Sequence, residues 1–458
     1  MLDTLAAPSN VPSKPELRLK GADVRGGKPP RVLIVCESAS AKFGGEAVLP
    51  LHYFRGLKKR GVPVWLLTHA RTRDELSALF PGDPTIRYVR DTMLNRAMFR
   101  LSRYLPHRLS NFTAGFVSRI GTQLAQRRLA RQIVAQERID VVHQPMPVSP
   151  REPSLLFGLG APVVIGPMNG DMNYPSGFGR ISGANEDLLI RAGRASAVAV
   201  NWLMPGKRRA ALLLVANRRT RDALPAGLCP QVAELVENGV DMGLWRPPTQ
   251  ASGAAVEGRS TQFIYVGRLV DWKGVDLLLE AFAQAASRAP MRLLIVGDGE
   301  TERSRLETLA ASLGLLGDGN GAAAAVVFAG WLTQEACAHR LQEADCLVLP
   351  SLLECGGAVV LEAMAVGKPV IATAWGGPAD YLDSSCGILV PPNGRDAFVS
   401  GLRDAMVRMA TSPEERTRMG ENGLRKVRRE YDWDAKIERI LGFYRSAMTS
   451  RVHPSTTP

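Results

Sequence analysis

The most constraining stretch of this 458-residue chain runs from Asp345 to Leu382, DCLVLPSLLECGGAVVLEAMAVGKPVIATAWGGPADYL. It opens on an apolar run that stops at Pro350, the pattern of a strand buried in a parallel sheet. A loop with two glycines follows, Ser351 to Gly357. The run AVVLEAMAV then reads as a helix stopped by Gly367. A second buried strand, Lys368 to Ala374, leads into the loop Trp375-Gly376-Gly377. Strand, helix and strand in this order make a βαβ unit with a glycine-rich entry to its helix, which points to an α/β layered fold.

Glu362 is the odd residue of this unit. Every other side chain from Ala358 to Val366 is apolar, so the helix reads as buried nearly all round. An unpaired carboxylate there costs several kcal/mol. Glu354 lies eight residues earlier, at the carboxyl end of the first strand, where open α/β sheets bind ligands. A carboxylate accepts from two vicinal hydroxyls at once, so a ribose or hexose diol would satisfy each glutamate. A solvated helix charge or a core ion pair is the plainer reading for one glutamate. Two at this spacing beside Gly356 and Gly357 favour the ligand.

Glu354 and Glu362, the Gly-Lys-Pro-Val strand and the Gly376-Gly377 loop together resemble the retaining glycosyltransferases of GT-B fold, family 4 or group 1 type. The resemblance covers Phe263 to Tyr444 and, more loosely, the first half. It implies two Rossmann-like domains facing each other across a cleft. It also implies that Glu354 contacts the donor sugar and phosphate region and that Glu362 binds the nucleotide ribose. The implied reaction moves a hexosyl group from a UDP- or GDP-sugar to a glycan or lipid-linked glycan in polysaccharide biosynthesis. The nucleotide sugar is then a co-substrate; no cofactor is expected.

Charge is divided along the chain. Of the net +13, residues 1–228 carry +18 and the remainder −5, which suggests two domains with different partners. Six cysteines without pairing rhythm or metal spacing fit a reducing compartment. Residues 1–29 have no apolar core of a signal peptide and read as a flexible arm. No apolar run approaches the ~20 residues of a membrane span. The expected location is the cytoplasm, with the inner face of the cell membrane as an alternative.

The first domain is expected over 30–228. Its opening strand, Arg31 to Ser38, runs into Gly44-Gly45 and a helix. Strand, glycine loop and helix form a phosphate cradle, or equally a plain tight turn. The resemblance places Gly44 and Gly45 beside the donor phosphates. Arg96 to Arg138 holds nine arginines interleaved with apolar residues. It reads either as a basic surface for an anionic membrane or as solvated helices with a core side. His143 ends a strand; by resemblance it touches donor or acceptor, and a hydrogen-bonded strand-end histidine is the alternative. Asn169 and Asp171, in a polar glycine-rich loop after the strand Ala161 to Ile165, are candidates for acceptor binding.

The second domain is expected over 229–430, with the small polar stretch Gln250 to Ser260 as its linker. After the strand Phe263 to Val266, Gly267 and Gly274 frame Arg268 and Lys273 ahead of a helix. Two cations there form a clamp for a diphosphate and would stabilise its growing charge, so the reading calls for no metal. Trp331 follows another strand and either stacks on the donor base or is core. A terminal helix, 431–448, is expected to cross back to the first domain, followed by a disordered tail, 449–458. Two other classes remain: a nucleotide-sugar epimerase on the same frame, and a basic nucleic-acid-binding protein. The buried glutamates count against the latter, since they repel phosphates, so no nucleic-acid partner is expected.

Overall fold

The computed structural model describes residues 28–43, 45–91, 116–146, 148–179, 198–225, 227–248, 259–316 and 325–449. Gly44, the tail beyond Thr449, most of the arm and linker, and residues 92–115 of the basic segment lie outside them.

The apolar runs form two all-parallel sheets. The first has β1 (Val32–Val35), β2 (Val64–His69), β3 (Ile86–Val89), β4 (Val141–Gln144), β5 (Val163–Met168), β6 (Leu212–Val215) and β7 (Val232–Glu234). Their spatial order is β3-β2-β1-β4-β5-β6-β7. The second has β8 (Thr261–Val266), β9 (Met291–Val296), β10 (Val326–Gly330), β11 (Cys346–Leu349), β12 (Val370–Thr373) and β13 (Gly387–Val390). Its order is β10-β9-β8-β11-β12-β13. The central strands VLIV, CLVL and VIAT are buried at every position, because helices cover both faces. β3 and β7 have no counterpart among the expected strands. Both are edge strands: β3 breaks its apolar run with Arg87 and Tyr88, and β7 has only three residues.

Each order reverses once, between β1 and β4 and between β8 and β11. Crossovers leave such a point toward opposite faces, so a crevice opens at the carboxyl ends of those strands. Glu37 and Gln144 mark that end in the first sheet; Gly267 and Pro350 mark it in the second.

The terminal helix, Trp433–Thr449, packs into the core of the first domain rather than the second. Ile437, Ile440 and Tyr444 lie against the first helix, Gly45–Lys59. Arg60 fixes its start through Asp434 at 3.0 Å and Glu438 at 2.8 Å. Gly56 lets the two helices meet, since a β-carbon there would lie 2.6 Å from Ile437 Cγ1. Gly56→Val should therefore destabilise the protein by about 1–3 kcal/mol, read as a lowered melting temperature. An unchanged melting temperature would show that this helix contact is not tight.

Candidate functional site

The crevice of the second domain is built by two loops. The first begins where β8 ends, at Gly267 and Arg268. The Tyr265 hydroxyl donates to the Arg268 carbonyl at 3.0 Å and shapes the turn. A short 3-10 turn, Asp271–Lys273, follows, and Gly274 takes the left-handed conformation, φ 63°, that starts the helix Val275–Ala286. The second loop follows β11. Leu352 N–H donates to the Trp272 carbonyl at 2.8 Å, tying the loops together. Gly357, at φ 69°, opens the helix Ala358–Ala365. Few residues other than glycine tolerate that conformation.

Lys273 Nζ and Glu354 form an ion pair between these loops. Both side chains are about 85% covered, at 15% and 14% exposure, so neither charge has much water to fall back on. Arg268 is exposed and makes no ion pair among the described residues. The buried Tyr265 hydroxyl is pushed up by burial, further by Glu354, and down by Arg268, so both charges act on one ring. Glu362 lies one turn into the helix and is half-buried. Burial pushes its carboxyl up to about 7. No hydrogen bond or ion pair reaches it among the described residues. The structure thus brings Arg268, Lys273, Glu354 and Glu362 to two adjoining loops and the helices they start.

Gly356 and Gly357 serve close approach. A β-carbon on Gly356 would meet Glu237 Oε1 at 2.7 Å and, closer still, the Asn238 amide. Gly267 sits under the Tyr265 hydroxyl. Gly45 heads the first helix with open space around it, and Gly44 lies outside the described residues.

Three expected site residues are placed differently from their expected roles. His143 is fully buried. Its Nε2 meets the Gly166 carbonyl at 2.6 Å and its Nδ1 the Tyr444 hydroxyl at 2.8 Å. Burial pushes it down to about 4. It is the hydrogen-bonded strand-end histidine, and the terminal helix covers it. Asn169 is a joint between the domains: its amide donates to Glu237 and, at 2.7 Å, to the Cys355 carbonyl. Its oxygen accepts from Asn217 and Thr220, both at 3.3 Å. Asp171 is ion-paired with Arg151 in its own domain. Trp331 is not core: it is 72% exposed.

The residues around Asn169 carry no local motif. Asn217 donates at 2.8 Å to Asp380 of the second domain. Glu237 is buried with Oε2 unpartnered, and burial raises its carboxyl. Lys436, from the terminal helix, donates to the Asn238 carbonyl at 3.0 Å and is pushed down to about 7 by burial. The arginines of the basic segment also differ from a membrane face where they are described. Arg119 pairs with Glu152 at 2.8 Å, Arg127 stacks on Phe157 at 3.7 Å, and Arg131 donates to the Gly158 carbonyl at 2.9 Å. No helix among the described residues is long and apolar enough to cross a membrane.

The raised Glu362 carboxyl sets a sign for pH dependence. The folded chain holds its proton more tightly than the unfolded chain, so Glu362 favours folding below about pH 4.5 and loses that advantage as pH rises to about 7. The melting temperature of Glu362→Gln minus that of the native chain should therefore grow from pH 5 to pH 7.5. A flat difference would mean that the carboxyl is solvated.

Residues 249–426 match the glycosyl transferases group 1 family. The D-inositol 3-phosphate glycosyltransferase of Segniliparus rotundus is 31% identical over 226 residues, 48% of each chain. The chain spans about half the length of the curated relatives it matches. A glycosyltransferase structure from Rickettsia africae superposes with a TM-score of 0.63 at 15% identity, over 92% of this chain and 99% of that one. Anabaena HepE, solved with UDP, gives 0.61 at 15% identity, over 91% and 100%. At these identities the superpositions speak for the fold. The second domain is thus similar to the glycosyl transferases group 1 family over residues 249–426, and the chain has the GT-B fold of two Rossmann-like domains facing each other across a cleft.

Proposed function

We propose that this chain is a retaining glycosyltransferase. It moves a hexosyl group from a nucleotide sugar to a glycan or lipid-linked glycan. The observation that carries this reading is the meeting of Lys273 with Glu354 on the loop that also carries Arg268, ahead of a half-buried Glu362; among the described residues neither Arg268 nor Glu362 has an ion-pair partner. Such a set is matched by one ligand with a diphosphate and two diols. Arg268 and Lys273 take the diphosphate, which draws Lys273 away from Glu354. Glu354 is then free to accept from sugar hydroxyls. Glu362 accepts from the ribose, whose hydroxyls supply the hydrogen bonds it lacks.

The chemistry is front-face displacement. The bond from C1 to the diphosphate oxygen breaks, and its electron pair stays on the diphosphate. The acceptor oxygen forms the new bond on the same face, so the anomeric configuration is kept. The acceptor proton passes to the departing phosphate oxygen. Arg268 and Lys273 hold the charge that grows there; charge held by fixed donors lowers the barrier without reorganisation. In this scheme the cations do the work a metal does elsewhere.

A thermal-shift panel of nucleotide sugars identifies the donor, and the UDP in the HepE structure puts uridine sugars first. A ligand at 100 times its Kd adds about 2.7 kcal/mol. Arg268→Ala should lower kcat by roughly 10²–10³ with donor binding less affected. Glu362→Ala should mainly weaken donor binding. Equal effects on both parameters in both variants would overturn these roles. Consumption of the sugar with no acceptor present would instead favour an epimerase.

A further inference from the structure

The first domain has its own hollow at the reversal point of its sheet. It lies at the carboxyl ends of β1 and β4, between the start of the first helix and the helix Phe116–Glu137, and measures about 270 Å³. That is room for a sugar-sized ring. Glu46 of the hollow is one of the charges that act on Cys355, next to Glu354, whose thiol is pushed up to about 11, chiefly by burial.

The lining is polar and unevenly satisfied. Gln144 is 3% exposed, and its Oε1 accepts from the Ser154 hydroxyl at 2.6 Å. Its amide nitrogen has no partner among the described residues. Gln126 is 2% exposed and donates to the Cys36 carbonyl at 2.7 Å. Its oxygen has none. Both residues line the hollow, so these free atoms are open to whatever fills it. One free donor and one free acceptor in the same wall suit hydroxyl groups, which both give and take.

The charges in the wall are mostly negative. Glu37, Glu46 and Glu152 line it against the single cation Arg119. Arg119 is held by Glu152, and Glu37 is held at 2.8 Å by Arg71. Glu46 has no partner among the described residues. Burial raises the carboxyls of Glu46 and Glu152; Glu152 raises Glu46 further, while at Glu152 itself Arg119 and Lys207 pull down and Glu37 pushes up. A phosphate placed here would face three carboxylates, and Arg119, the one cation among the described lining residues, is already paired with Glu152; an ammonium would relieve the repulsion.

We infer that this hollow takes the accepting end of the second substrate, and that this end is a hydroxyl-rich ring without phosphate on which an amine is favoured. The inference rests on the transferase reading above and narrows it. A phosphorylated polyol of the kind in the name of the Segniliparus relative is the class such a wall turns away.

The test uses the full chain and the donor chosen by thermal shift. Transfer is measured to matched triplets: glucose, glucosamine and glucose 6-phosphate; inositol, an aminocyclitol and inositol phosphate; and short glycans in the same three forms. In at least one triplet the neutral and aminated members should react and the phosphorylated one should not. Glu46→Gln should lower kcat/KM for the aminated member about tenfold, through KM, and change the neutral member less. Its donor thermal shift should stay as in the native chain, which shows that the variant folds. Three results overturn the inference: a phosphorylated member used better than its neutral partner, no triplet used while the donor still binds, or Glu46→Gln acting equally on neutral and aminated members. Failure of every nucleotide sugar to shift melting would instead count against the transferase reading itself.

Discussion

Asn169 holds the two halves of this protein in register. One carboxamide reaches the Glu237 carboxylate and the Cys355 carbonyl, both beyond residue 228, while its oxygen gathers Asn217 and Thr220 from the first domain. The Cys355 carbonyl belongs to the residue after Glu354. The joint therefore sets where the Glu354 loop stands relative to the first sheet. Asn217 to Asp380, and Trp375 Nε1 to the Asn173 carbonyl at 2.8 Å, brace the same seam. Buried amide contacts of this kind are costly to leave unmade, so the seam specifies one arrangement rather than merely adding stability.

The site beside that joint is held in a waiting state by its own charges. Lys273 and Glu354 neutralise each other in a place with little water. A covered ion pair gains little over its lost hydration and is readily exchanged for better partners. Glu362 has no such partner among the described residues, and burial pushes its carboxyl up to about 7. A ligand that brings a diphosphate to the lysine and hydroxyls to both glutamates resolves both tensions together. Opposite, the first domain offers a hollow with the reverse demand, short of cations and rich in carboxylates.

Much of this was legible from residues close together in the chain. The unit at 345–382 announces itself because parallel strands buried on both faces must be apolar, and its glutamates stand out against that background. Arg268 and Lys273 are framed by glycines that the backbone needs. His143 was not legible. Its strand position is clear, but the residue that covers it, Tyr444, comes from the far end of the chain. Asn169 was singled out as polar in a glycine-rich loop; that its partners are Glu237 and Cys355 depends on how two domains meet. The acidic hollow was hidden for another reason. The first 228 residues sum to +18, and a sum carries no information about where Glu37, Glu46 and Glu152 converge.

The most direct measurement is the electron density of crystals soaked with the uridine or guanosine sugar that binds. The account predicts a diphosphate against Arg268 and Lys273, ribose hydroxyls on Glu362, and Glu354 released from the lysine onto the sugar. A nucleotide bound elsewhere, with the Lys273–Glu354 pair intact and Glu362 untouched, would contradict it.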